Sequence, residues 1–209
     1  MLNHYKSAFF QIINFLESLE ETTSVKYYLV GGILVNIYSD FRTTRDIDIA
    51  LDLFNSDINL KAYSNLLEKN EFHPIQDWIT TTSLAQETGI IQFLDKTETV
   101  RYDNHLIAKR SVDKYKKIGI IALERRERRI IFNKECWVAS KEDFILSKLV
   151  FGGWQDYSDA LGCWLRFKND LNLSYLQQKS QELDIKIEYN LLISGIKDPD
   201  MYFQKLNNY

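Results

Sequence analysis

Cysteine is scarce in this chain. It has two, Cys136 and Cys163. Neither belongs to a Cys-x-x-Cys unit, which argues against zinc ribbons and thiol redox motifs and fits a reducing cytosol. The three histidines, His4, His73 and His105, are scattered without metal-ligand spacing. No serine or cysteine has a recognisable histidine partner motif, so nothing indicates a nucleophilic triad. No stretch reaches about 18 consecutive apolar residues, the length a membrane span would need. The opening MLNHYKSAFFQIINFLESLEE mixes charged and polar groups into its apolar positions, where a signal peptide would carry an uninterrupted apolar core. The expected protein is therefore cytoplasmic, neither secreted nor spanning, with no membrane partner. A strong charge imbalance is also missing. At a formal net charge of −3, nothing draws the whole molecule to nucleic acid or to an anionic surface, so a polyanion must meet a local basic patch.

What is present suits a globular α/β protein. With 209 residues, 45% of them hydrophobic and 26% charged, the chain can build a sizeable core in one large domain or two small ones. Phe9, Phe10, Ile13, Leu16 and Leu19 recur at helical spacing and predict a helix over 3–21 lying against a sheet. VKYYLV reads as a strand that stops at Gly31-Gly32, and ILVNIY follows it in a strand-turn-helix order. DIDIALDL alternates strictly, so Asp46, Asp48 and Ala50 share one face of a strand while Ile47, Ile49 and Leu51 share the other. Residues 57–70 predict a helix with Asp57 in its first turn and a stripe of Leu60, Tyr63 and Leu67.

IIQFLD is the next strand candidate, and KIGIIALE and RRIIF read as strands bracketing the basic run Arg125 to Arg129 in a hairpin. The glutamates interleaved in ERRERR favour a solvated turn over an RNA-binding patch. From Ser140, with Asp143 three residues on, a capping-box-like start opens a helix. The patterns DYSDALGCWLRFK, LSYLQQKSQEL and KIEYNLLISGI continue as helices, with Pro199 as a late breaker. The predicted fold is α/β of the α+β kind: a small mixed sheet flanked by helices over residues 1–139, then a helical bundle over 140–209 that closes a cleft.

Two carboxylates two residues apart on a strand point the same way, and like charges so close repel unless a cation lies between them. Mg²⁺ prefers carboxylate oxygens and keeps positions open for phosphate oxygens, so Asp46-Ile47-Asp48 beside a phosphate-binding turn suits phosphoryl or nucleotidyl transfer. Gly31 and Gly32 supply that turn, because backbone N–H groups without side chains beside them can approach an anion. Arg42 and Arg45, just ahead of the aspartates, are placed to hold triphosphate oxygens. Taken singly, each feature also has an ordinary reading as a turn, a solvated strand end or an exposed loop charge.

In order and spacing, LVGGILVNIYSDFRTTRDIDIAL resembles the signature of the polymerase-β-like nucleotidyltransferase superfamily: Gly-Gly after a strand, a helix, then Arg-x-Thr-x-Asp-x-Asp entering the next strand. With Arg42 and Thr44 it is most similar to the small prokaryotic branch that includes AbiEii-like and MenT-like toxins. SKEDFILSKLVFGGWQDYSDALG is similar to a second segment of that branch, and together the two make the resemblance cover roughly residues 25–165. The resemblance implies a nucleotidyltransferase-like domain, Mg²⁺ or Mn²⁺ on Asp46 and Asp48, and nucleotide contacts from Gly31, Gly32, Arg42, Thr44, Arg45, Lys148 and Asp156. It implies transfer from a nucleoside triphosphate to a hydroxyl of tRNA, another RNA or a protein, and a toxin with an antitoxin partner. A solvated lysine at 148 and a dipole-favoured helix start at Asp156 and Asp159 are the ordinary alternatives.

The superfamily adds a third carboxylate from a neighbouring strand. The matching place is IIQFLD, which has Gln92 where the acid is expected. Either the strand bulges so that Asp95 serves as a catalytic residue, or it is regular and the neutral Gln92 faces the aspartates. The second case opens an alternative reading: an impaired nucleotidyltransferase fold that binds a nucleotide or a partner without turnover.

Overall fold

Helices and short strands follow one another in the order α1 (Leu2–Thr22), β1 (Lys26–Leu29), α2 (Gly31–Tyr38), β2 (Asp46–Asp52), α3 (Leu60–Lys69), β3 (His73–Pro74), α4 (Trp78–Thr88), β4 (Ile90–Leu94) and β5 (Arg101–Leu106). Then come α5 (Lys114–Glu124), β6 (Glu127–Ile131), β7 (Lys134–Val138), α6 (Lys141–Phe151), α7 (Trp154–Phe167), α8 (Leu173–Glu182), α9 (Lys186–Ile193) and α10 (Pro199–Leu206). The computed structural model describes residues 2–40, 42–108 and 111–208. The chain forms two units, each drawn from separate segments: Met1–Ile33, Thr43–Lys109 and Arg126–Val138 in the first, and Leu34–Arg42, Arg110–Arg125 and Ala139–Tyr209 in the second. Among the described residues no helix is long and apolar enough to cross a membrane.

The first unit holds a seven-stranded mixed sheet of order β3-β4-β5-β2-β1-β7-β6, the expected α/β architecture. At its centre β2 runs antiparallel to β1 and parallel to β5, while β4 is antiparallel to β5. Period-two alternation in β2 gives the predicted division, with Ile47, Ile49 and Leu51 fully buried and Asp46 and Asp48 only partly covered. The apolar face packs against an aromatic cluster in which Phe72 meets Phe15 of α1, Phe93 of β4 and Tyr102 of β5, with ring centroids 5.3, 5.4 and 5.5 Å apart. Of the stripe predicted on α1, Phe9, Ile13, Leu16 and Leu19 are buried, while Phe10 is only partly covered and Ile12 takes its place in the core. α3 starts at Leu60 and not at 57, because the Asn59 side chain caps it by accepting from the Ala62 N–H at 2.9 Å.

Two sequence expectations fail between Arg101 and Phe132. KIGIIALE is not a strand but the body of α5, capped where Asp113 accepts from the Tyr115 N–H at 3.0 Å and buried through Ile118, Ile121 and Ala122 at helical spacing. The hairpin is formed by β6 and β7, and its turn is Phe132-Asn133, with φ of 51° and 66°, the pair of left-handed residues that a two-residue hairpin loop requires. A left-handed Phe132 costs about 1–2 kcal/mol. Its ring lies edge-on to Phe9 at 5.3 Å and to Tyr5 at 6.3 Å, contacts that offset the strain. The basic run therefore leads into β6, where it is structural. Arg126 donates to Glu20 and to the Tyr27 carbonyl, Arg128 forks onto Glu17, and both guanidinium groups lie over Trp137, at 4.2 and 4.8 Å.

The second unit is helical. Ser140 caps α6, accepting from the Asp143 N–H at 3.1 Å and donating to the Asp143 carboxylate at 2.6 Å. Asp143 is fully buried and also accepts from the Tyr175 hydroxyl at 2.6 Å, with Arg125 stacked on the Tyr175 ring at 3.8 Å. Burial pushes the Asp143 carboxyl above the usual range against these bonds and the Arg125 charge. Leu146, Leu149, Leu161, Cys163, Leu176 and Leu192 are among the buried apolar residues of this unit.

Candidate active site

β1 ends at Leu29, and the Val30 N–H donates to the Asp48 carbonyl at 3.0 Å, so the start of α2 is tied to the middle of β2. Gly31 opens the helix in the left-handed region at φ +64°, and a Cβ there would stand 2.0 Å from Asp48 Oδ2. A Cβ on Gly32 would stand 2.5 Å from Thr44 Oγ1. Glycine is required at both positions by this approach, which brings the Gly32 N–H to 3.3 Å from Asp48 Oδ2. The Gly32 amide at this helix start therefore points at a carboxylate on β2.

The neighbour of β2 is β5, not β4. In their parallel register Asp46 pairs with Arg101, Asp48 with Asp103 and Ala50 with His105. Across β5, Gln92 of β4 pairs with Asp103. One face of the sheet therefore presents Asp46, Asp48 and Asp103, whose side chains are 33%, 20% and 12% exposed. β4 pairs with β5 in unbroken register from Ile90 to Leu94, so the bulge that would have turned Asp95 toward the aspartates is absent. Asp95 lies in the β4–β5 turn, where its carboxylate accepts from the amides of Thr97 at 3.2 Å, Thr99 at 2.7 Å and Val100 at 2.8 Å. It is a turn-forming residue. Gln92 takes the facing position, as a regular strand requires, and donates its amide to Asp103 Oδ1 at 3.1 Å.

Sequence reasoning missed Asp103. The available signal was Tyr102-Asp103 in VRYDNHLI, an acid entered from an apolar neighbour.

The carboxylate oxygens on this face have donors nearby. Thr44 Oγ1 donates to Asp46 Oδ1 at 3.0 Å. Arg101 Nη2 lies 3.0 Å from Asp46 Oδ2 and 3.0 Å from Asp103 Oδ2, with its Nε 2.9 Å from Asp103 Oδ1. His105 Nε2 stands 3.7 Å from Asp48 Oδ1. Burial pushes the Asp103 carboxyl above the usual carboxylate range; Arg101 and Gln92 pull it down, while the charges of Asp48 and Asp46 add to the rise. Oxygen donors that crowd and repel one another are the set that a hard divalent cation prefers, so these residues fit Mg²⁺ or Mn²⁺ in kind. In the present arrangement Arg101 stands between Asp46 and Asp103, and among the described residues no group of three acid, histidine or cysteine side chains is set to hold a metal ion.

The other predicted contacts belong to the second unit, except Arg45, which is exposed in the first. Lys148 of α6 lies 2.6 Å from Asp156 and 2.9 Å from Asp159 of α7, and Arg42 forks onto Asp159 at 3.1 and 3.3 Å. Lys148 and Asp159 are buried. Lys148 is thus neither a solvated lysine nor isolated, and the partner that the sequence left as a helix-start residue, Asp159, is the centre of the cluster. Arg42 is also fixed at its backbone, where its N–H donates to Asn36 Oδ1 at 3.0 Å.

No protein-family model matches the chain, and no curated protein matches it. Among solved structures it is similar to the lincosamide antibiotic adenylyltransferase LnuA in its lincomycin-bound form, with a TM-score of 0.45 and 16% identity over 73% of this chain and 94% of that one. It is also similar to an antigenic nucleotidyltransferase-like protein from Paracoccidioides brasiliensis, with a TM-score of 0.44 and 14% identity over 84% and 91% of the two chains. At that distance these are likenesses of fold, and the reading of the site rests on its own geometry.

Proposed function

We propose that the chain is a metal-dependent nucleotidyltransferase of the polymerase-β-like kind, moving a nucleotide from a nucleoside triphosphate to a hydroxyl of RNA or protein. The observation that carries this reading is the pairing of Asp48 on β2 with Asp103 on β5, with Asp46 one pleat along and the Gly31-Gly32 turn against Asp48. In this reading Asp46, Asp48 and Asp103 hold Mg²⁺ or Mn²⁺, and Asp103 takes the third-carboxylate role that the sequence offered to Asp95. The bound cation supplies charge stabilisation at the phosphate under attack and on the leaving pyrophosphate. The chain's own residues do the positioning. The Gly31-Gly32 amides meet phosphate oxygens at the start of α2, and Thr44 orients Asp46 through its 3.0 Å bond. Gln92 orients Asp103 through its 3.1 Å bond. Lys148, Arg42, Arg45 and Asp156 are proposed as further nucleotide contacts, supported by the resemblance of the segments that hold them.

The Arg-x-Thr form of the motif, Arg42 and Thr44, supports a place near the AbiEii-like and MenT-like toxins. The finer proposal is therefore a toxin acting on tRNA or another RNA, or on a protein, and held by an antitoxin. One observation favours the alternative of a binding module without turnover: Arg101 and Gln92 already engage the carboxylates. The two are separated by incubating the protein with each labelled nucleoside triphosphate, Mg²⁺ or Mn²⁺, and total RNA. Label on RNA or on protein that disappears in Asp48→Asn supports transfer. Triphosphate binding without any label supports the module, and neither outcome with any triphosphate refutes the nucleotide reading.

A further inference from the structure

The arginines of this chain are held in different ways. Arg125 stacks on Tyr175, Arg126 and Arg128 lie over Trp137, and Arg166 lies over Phe167 at 5.0 Å. Arg101 is different. Among the described residues no ring stacks on it, its side chain is 44% exposed, and it bonds to the carboxylates of Asp46 and Asp103. It reaches both because the β2–β5 register sets it opposite Asp46, while Asp103 follows two residues along the same strand on the same face. A single nitrogen, Nη2, lies 3.0 Å from an oxygen of each carboxylate. That nitrogen bridges two acids as a shared cation would, and no aromatic face anchors the guanidinium there.

We infer that Arg101 is a resident counter-ion of the carboxylate face, which a divalent cation must displace from Asp46 and Asp103 before it can bind them. The inference rests on the reading of Asp46, Asp48 and Asp103 as the cation-holding set. A cation set between the same two oxygens would meet the guanidinium at contact distance, and that repulsion sets occupancy by Arg101 against occupancy by the cation. The swing that frees the carboxylates moves a partly exposed side chain into water, where a guanidinium is readily accommodated. Arg101 therefore lowers the cation affinity of the empty protein. It also offsets part of the repulsion between Asp46 and Asp103 until a cation arrives.

The test measures Mn²⁺ binding in the absence of nucleotide, by titration against the spin-resonance signal of free Mn²⁺. The chains compared are the parent, Arg101→Gln and Arg101→Lys, with thermal melts of each to verify folding. Arg101→Gln should bind Mn²⁺ about tenfold more tightly or better, a change of about 1.4 kcal/mol, and should gain more thermal stabilisation from Mn²⁺ than the parent. Arg101→Lys should also bind more tightly than the parent, because a lysine keeps the charge but lacks the fork that bridges two carboxylates. Equal or weaker binding by Arg101→Gln, with the parent binding measurably, overturns the inference and leaves the cation site standing. Arg101→Lys matching the parent while Arg101→Gln binds more tightly shows an effect of net charge and overturns displacement. Absence of Mn²⁺ binding by all three chains overturns the inference together with the cation-site reading beneath it.

Discussion

Replacing Gly31 by alanine tests the central geometry without any assumption about substrate. The added Cβ would lie 2.0 Å from Asp48 Oδ2, 2.5 Å from its Cγ and 2.7 Å from its Cβ. Rotating the carboxylate relieves the first contact, but the Cβ–Cβ contact can be relieved only by moving α2 away from β2. A second cost is conformational, since residue 31 sits at φ +64°. Gly89 provides the control, because it belongs to the same unit, has φ +76°, and a Cβ added there would meet nothing within 4 Å. Gly89→Ala should therefore cost the left-handed penalty alone, about 1–2 kcal/mol. Gly31→Ala should add an overpacking cost of about 1–3 kcal/mol, for about 2–5 kcal/mol in all. For a chain of this size each kcal/mol lowers the melting temperature by about 2–4 °C, so calorimetry resolves the two variants. Gly31→Ala should also weaken Mn²⁺ binding, since the displaced carboxylate is Asp48, while Gly89→Ala should not. Equal melting temperatures for the two variants would refute the close approach of the turn to Asp48.

Burial works to raise the Asp95 carboxyl, but the bonds from Thr97, Val100 and Thr99 outweigh it and hold the group below the usual carboxylate range. A depressed folded pKa contributes stability that is present above the unfolded value and lost as pH falls through the folded one. Asp95→Asn should therefore be destabilised by about 1–3 kcal/mol at neutral pH, with the gap to the parent closing in acid denaturation profiles below about pH 4, and with transfer activity kept. Lys148→Met removes one partner from a buried cluster and leaves Asp159 with Arg42 and the Gln155 amide, so it should lose stability toward the lower end of the 3–5 kcal/mol range, about 3 kcal/mol. The double variant Lys148→Met, Asp159→Leu should recover part of that loss in denaturant melts. No recovery would show that the cluster is not the source of the instability.

The half of the site that is legible in the sequence comes from periodicity. Asp46 and Asp48 fall on one face because Ile47, Ile49 and Leu51 alternate with them without interruption, and a two-residue period leaves no other arrangement. Asp103 is hidden because Arg101-Tyr102-Asp103-Asn104-His105-Leu106 has no such alternation. Its Asn104 is buried on the apolar face, bonded to the Tyr63 hydroxyl at 2.5 Å, which only the folded chain reveals. Nor can spacing disclose that β2 pairs with β5 in parallel across the intervening α3, β3, α4 and β4, a choice made by long-range packing. α5 is misread because Ile118, Ile120 and Ile121 favour strands locally, whereas the Asp113 cap and the packing of α5 against α6 decide for helix. Asp159 is underrated because a helix-start aspartate and the buried partner of a lysine look alike until α6 and α7 are packed together.

The segmental make-up of the two units governs how the gene can be divided. A fragment ending at residue 139 would carry Leu34–Arg42 and Arg110–Arg125 without the helices they group with. Tyr38, Ile118 and Ile121, each buried in the whole chain, would then be uncovered in the truncated product. The remaining fragment, starting at 140, would lack the Arg125 that stacks on Tyr175 and the Arg42 that forks onto Asp159. We therefore expect neither piece to fold as a self-contained expression unit. Co-expressed halves should accumulate only by complementation, each rescuing the other from proteolysis.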